Sequence, residues 1–147
     1  IWKTFLENAE FEELLFSDKD IQEYDWNEQK IKLTPKAYKK IYDILHSVER
    51  FRIYEKQFIV TLGEKRIYGG SIVSFRSARA INYPIICFDA YNNETKKKDS
   101  DSRILQIRPY LGIREYNKAN ESVHKKLIES KEIKDFFIKM GKIRNFK

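Results

Sequence analysis

The side chains able to do chemistry are few and scattered. Two histidines are present, His46 and His124, and neither has a second strong metal ligand near it in the sequence. His46 follows Leu45 beside the apolar positions of a helical pattern, the place of a packed or solvated border residue. His124 lies in Val123-His124-Lys125-Lys126 and is expected to be exposed. The densest carboxylate group is Asp18, Asp20, Glu23 and Asp25. Oxygen ligands at alternate positions suit Ca²⁺, but the Gly and the distal Glu of an EF-hand loop are missing. Helix capping and a solvated face explain these carboxylates equally well. There is no His-Glu-x-x-His, no Gly-x-Ser-x-Gly and no phosphate-cradling glycine loop. Without a paired nucleophile and base, hydrolytic catalysis has no visible apparatus. The expectation is a non-catalytic chain with no metal and no cofactor.

One cysteine excludes an internal disulfide and any cysteine-based zinc site. Cys87 sits in Ile85-Ile86-Cys87-Phe88, where a free thiol behaves as a small buried hydrophobe.

Binding groups are more visible. Ser74, Arg76, Ser77 and Arg79 follow a Gly69-Gly70 break, and arginine offers a planar fork to carboxylates. These four residues are the candidate site for a protein or peptide partner. The alternative reading is an ordinary bulged hairpin with a solvated connection. A second binding class is nucleic acid or another polyanion. It rests on the net charge of +7, on Lys96-Lys97-Lys98 and on an aromatic content of 14%. Nucleic acid is the less favoured of the two. The basic residues are spread along the chain, most aromatics occupy periodic core positions, and Glu94, Asp99 and Asp101 offset the lysine run. A third class is a surface-anchored or oligomer-forming module. The chain begins with Ile1 rather than Met, which marks a trimmed or processed product whose tether would precede it.

The elements that must position these groups follow from periodicity. At 147 residues, with 41% hydrophobic content, the chain fits one domain (1–147) with a real core. No apolar run approaches the length of a membrane span. Residues 3–16 carry apolar positions at near-helical spacing beside an acidic face. Ser17 and Asp18 are placed to cap a short helical turn over Asp18–Gln22. Ile31 and Leu33 alternate with Lys30 and Lys32, a half-buried strand. Thr34 then caps and Pro35 opens the clearest helix, with Ala37, Ile41, Ile44, Leu45 and Val48 on one face and an end near Glu49.

Phe58, Val60 and Leu62 share one face of a strand, and Gly63-Glu64-Lys65 turns it back. On the return strand Ile67, Val73 and Phe75 fall on one side, and Gly69-Gly70 marks a bulge or a close backbone contact. Ile85–Phe88 is apolar on both faces and belongs in the sheet interior. Residues 92–103 contain no hydrophobic side chain and read as an exposed loop. Ile104–Arg108 is the last strand, and Tyr110–Tyr116 reads as irregular. Val123, Leu127, Ile128, Ile133, Phe136, Phe137 and Met140 form apolar stripes whose phase slips near Ser130, so two short helices or one bent helix are expected. Gly141 stops the pattern. The order predicts an α+β fold: an antiparallel sheet of about four to five strands with helices on one face.

Ile31-Lys32-Leu33-Thr34, the run Phe58–Glu64, Ile67-Tyr68-Gly69-Gly70, Ser74, Ser77 and Pro84-Ile85-Ile86 together resemble small bacterial exported or lipid-anchored domains of unknown function. More distantly they are similar to the periplasmic head region of the protein-translocase accessory subunit SecD. The resemblance implies an extracytoplasmic, non-catalytic domain, secreted or membrane-anchored, with no particular ligand.

Overall fold

The computed structural model describes residues 15–46, 57–73, 80–87, 103–112 and 114–146. A 3₁₀ turn at Asp18–Asp20 is closed by the Ser17 N–H, which donates to Oδ2 of Asp20 at 2.9 Å. Ile21 and Gln22 are not part of that turn. They open strand β1 (Ile21–Asp25), where the sequence signals only a capped turn and a carboxylate cluster. A tight turn leads to β2 (Lys30–Leu33), the strand marked by the Ile31/Leu33 alternation.

Helix α1 (Pro35–His46) starts where the capping chemistry requires. The Thr34 Oγ1 accepts the Ala37 N–H at 3.3 Å, satisfying one of the helix's otherwise unpaired N-terminal donors. Of its predicted apolar face, Ala37 and Ile41 are buried; the side chains of Ile44 and Leu45, and the end near Glu49, lie outside the described residues. The helix expected over residues 3–16 lies outside them too, but for its last two.

Strands β3 (Gln57–Leu62) and β4 (Lys65–Val73) form the expected hairpin. Gly63 takes φ +60° at the turn, which a residue with a Cβ adopts only at a cost. Then come β5 (Ile85–Cys87) and β6 (Ile104–Arg108). Helix α2 (Arg114–Ile128) and helix α3 (Lys131–Lys139) are separated at Glu129 and Ser130, as the phase slip predicts. The segment expected to be irregular to Tyr116 is already helical from Arg114. Gly141, at φ +68°, donates to Ile138 O, and Lys142 N–H donates to Phe137 O. These are the paired bonds of a Schellman stop.

The strands form one sheet in the order β1-β2-β6-β5-β4-β3. It is larger than the four to five strands expected, and it is mixed. β4 and β5 run parallel, with Ser71, Ile72 and Val73 opposite Ile85, Ile86 and Cys87, while every other neighbouring pair is antiparallel. The predicted fully antiparallel sheet is therefore corrected. A parallel pair needs a crossover connection, and the chain between Val73 and Ile85 supplies it.

Alternation divides the side chains between two faces. The main cluster takes Tyr24, Ile31, Leu33, Tyr68, Ile72, Ile86, Leu105 and Ile107 from the strands, Ala37 and Ile41 from α1, and Ile128, Ile133 and Phe137 from the last two helices. Phe58 and Val60 of β3 lie against the same cluster. A second, smaller cluster on the opposite face holds Val73, Ile81, Ile85, Cys87 and Leu111. β5 is thus buried on both faces, as its unbroken apolar run requires.

Candidate functional site

Ser74, Arg76, Ser77 and Arg79 all lie outside the described residues; the structure describes the frame that holds them. The connection leaves β4 at Val73, which pairs with Cys87, and returns at Ala80. Its return is anchored by two reciprocal 2.8 Å backbone bonds between Ile81 and Leu111. Because Gln57 is opposite Ser71, the connection departs two residues past the start of β3, the terminal strand among those described.

The glycine pair before this connection is a close contact and not a bulge. Gly69 and Gly70 pair in register with Ile59 and Phe58, and the extra residue lies at Ile67, between the pairs Val60–Tyr68 and Thr61–Arg66. That bulge turns Ile67 toward the main cluster, whereas Val73 belongs to the smaller one, so the two do not share a side. Gly70 is required for a steric reason. A Cβ there would lie 1.7 Å from the Pro84 carbonyl oxygen and 3.0 Å from Cε1 of Phe58. The same oxygen accepts the Ser71 N–H at 3.3 Å, so the absence of a side chain is what lets the crossover dock against β4.

The two edges of the sheet differ. On the outer side of β1, Tyr24 N–H donates to Lys142 O at 2.8 Å and Arg144 N–H donates to Tyr24 O at 3.0 Å. Ile143 thereby forms a parallel bridge with Tyr24. Phe146 N–H extends the contact by donating to Oδ2 of Asp25 at 2.8 Å. The C-terminal segment therefore occupies this edge. At the other end, β3 pairs with β4 and is terminal among the described strands. Gln57 and Thr61 are exposed there and Ile59 is half-buried.

The groups with chemical potential are largely committed to structure. Asp25, 2% exposed, accepts N–H groups from Glu28 at 3.1 Å and Phe146. Asp20 accepts the Ser17 N–H. Of these carboxylates Asp20 caps the 3₁₀ turn, whereas Asp25 closes the β1–β2 turn and holds the C-terminal segment instead of capping a helix; among the described residues no three His, Cys, Asp or Glu side chains gather around a possible metal position. Burial pushes the Cys87 thiol up to about 11, with the Arg108 guanidinium acting in the opposite direction. His124 departs from expectation. It is half-buried, its Nδ1 has no hydrogen-bond partner, and burial holds its imidazole below the ordinary value, partly offset by the Asn82 backbone. His46 is the last residue of α1, and its side chain lies outside the described residues.

The sheet face turned away from the main cluster carries basic side chains that their separate sequence positions did not connect. Lys30 and Lys32 alternate with Ile31 and Leu33, and Lys30 is opposite Gln106. Arg108 stands two residues along from Gln106 and donates from Nε to its Oε1 at 2.9 Å. The register alone joins them.

No protein family, curated protein or solved structure matches this chain. No helix among the described residues is long and apolar enough to cross a membrane.

Proposed function

We propose that the chain is a non-catalytic binding domain that takes an extended segment of a protein partner as an added strand along β3. The observation that carries this reading is the asymmetry of the edges: β1 is covered by the chain's own C-terminal segment, whereas β3 ends the sheet among the described strands. An outermost strand presents a row of backbone donors and acceptors to which a peptide adds, while alternate side chains give specificity. Arg76 and Arg79 are assigned to the recognition of carboxylates flanking that segment. Supporting this, the connection that bears them starts from the β4 end that pairs with the beginning of β3. The helices form the cover of the opposite core, and the domain works outside the cytoplasm, as the exported-domain resemblance implies.

The test is to pan a library of random linear peptides against the whole chain. Selected peptides are expected to be extended, β-prone and acidic at one end. Ile59→Lys should weaken them at least tenfold by placing a charge on the docking edge, and Arg76→Ala with Arg79→Ala should remove the acidic preference. Peptides that bind both variants like the parent would overturn the reading.

A further inference from the structure

The backbone direction of β3 follows from a bond made by its neighbour. Ser71 N–H donates to Pro84 O, so the backbone polar groups of Ser71 point toward β5. Those of Gly70 point the other way, toward its partner Phe58. Alternation carries this pattern along β3. Phe58, Val60 and Leu62 direct their N–H and C=O groups at β4, whereas Gln57, Ile59 and Thr61 direct theirs away from it. Leu62, paired with Lys65 across a two-residue turn, agrees with that phase. The outward polar groups therefore come at three evenly spaced residues of the strand that is terminal among those described.

The side chains of this strand are equally regular. Gln57–Leu62 contains no charged residue and no proline, the devices that ordinarily keep one edge from pairing with another. The bulge of the hairpin lies on β4, at Ile67, and leaves β3 unbroken. Phe58 and Val60 stand on the main-core side and are only half-buried. On the other side Gln57 and Thr61 are exposed. Between them half-buried Ile59 stands opposite Gly69, which has no side chain to cover it.

From this arrangement we infer that β3 pairs with β3 of a second copy of the chain, antiparallel, about a twofold axis at Ile59. The inference rests on the reading of β3 as the docking edge and names its partner. A twofold axis joins a surface to itself, so the strand must complement its own reverse. Centred on Ile59, it does. Gln57 meets the partner's Thr61, Ile59 meets the partner's Ile59, and Thr61 meets the partner's Gln57. All three outward residues then fall in hydrogen-bonded pairs, each exchanging two N–H···O=C bonds. On the core side Phe58 meets the partner's Val60, an aromatic against a β-branched side chain, which is a favourable cross-strand pair. Moving the axis to Phe58 or to Val60 leaves Thr61 or Gln57 without a counterpart within the strand. No like charges face each other, and the two six-stranded sheets become one continuous sheet.

The experiment is sedimentation of the whole chain from about 1 μM to about 1 mM, the range of small interfaces, joined to amide exchange by NMR over the same series. A concentration-dependent dimer is expected. Protection should rise with concentration at Gln57, Ile59 and Thr61 and stay constant at Phe58, Val60 and Leu62, whose N–H groups face β4. Ile59→Lys and Ile59→Glu each set like charges opposite one another on the axis and should each weaken the dimer about tenfold or more. Mixing the two variants should restore it as a heterodimer. Added salt should not weaken the dimer, because it screens the repulsion between two chains of net charge +7 and the strand has no ion pair to lose. The protection pattern of the parent chain decides even where a variant fails to fold. A parent that stays monomeric to about 1 mM, or dimerises with protection elsewhere, overturns self-pairing. If a selected extended peptide then still protects Gln57, Ile59 and Thr61, the docking edge stands and only its partner is wrong. If it protects none of them, both readings fall.

Discussion

The Tyr24 hydroxyl donates a 2.6 Å hydrogen bond to Oε1 of Gln29, whose backbone holds φ +51°. Gln29 Nε2 in turn donates to Trp26 O at 2.9 Å, and Ile107 N–H donates to Gln29 O at 2.8 Å. One buried glutamine thus closes the β1–β2 turn and ties it to β6. Removing the donor with Tyr24→Phe leaves a buried acceptor unpaired and should cost about 1–3 kcal/mol. Gln29→Ala keeps the strained backbone and loses both side-chain bonds, so it should be less stable than Gln29→Gly by about 1 kcal/mol. Urea unfolding of the three variants checks both statements.

Two glycines separate steric need from backbone strain. Gly70→Ala drives a methyl into the Pro84 carbonyl and should destabilise by about 3 kcal/mol. A methyl at Gly63 would meet nothing within 4 Å, and only the positive φ opposes it, so Gly63→Ala should cost about 1 kcal/mol. The urea midpoints of the two variants decide; equal losses would contradict the close approach of the crossover to β4.

Asp25 holds the C-terminal segment on β1. Asp25→Ala should free the Phe146 and Glu28 N–H groups, cost about 2 kcal/mol and speed amide exchange at Phe146 and Arg144. Asp25→Asn retains one acceptor oxygen and should fall between the two. Hydrogen exchange followed by NMR reads this directly.

Stability should fall at both ends of the pH scale. Burial raises the Cys87 thiol from 9.0 to about 11 and raises the phenols of Tyr68 and Tyr24 above 10.0, the latter also through the neighbouring Tyr68. The unfolded chain releases these protons first, so stability is full below 9.0 and declines as pH rises beyond it. At the acid end the His124 value is lowered by burial, so its contribution is present above 6.5 and is lost as pH falls through the folded value. His124→Gln should remove that acid-side loss. Denaturation midpoints across pH, with slow native reaction of Cys87 toward a thiol reagent, provide the check.

Much of the architecture is legible where local chemistry decides it. Thr34-Pro35 announces α1, Ile31 and Leu33 announce β2, and Gly141 marks the stop after α3. β1 is hidden because its register shift at Gln22 breaks the alternation and its acidic residues mimic a capped turn. The parallel β4–β5 pair is illegible from local pattern, since direction is set by the path of a connection and not by side-chain period. The Ile67 bulge is missed for a related reason: glycine draws attention to itself, whereas an isoleucine bulge leaves no compositional trace. The basic row on the outer face needs register across strands distant in sequence, which only the folded sheet supplies.

The most direct test of the account is to titrate the isotope-labelled chain with a selected extended peptide and follow backbone amides by NMR. Shifts and new exchange protection confined to Gln57–Leu62 of β3, with Ile21–Asp25 of β1 unmoved, are the predicted result. Perturbation centred on β1, with release of the segment bonded to Tyr24, would contradict it.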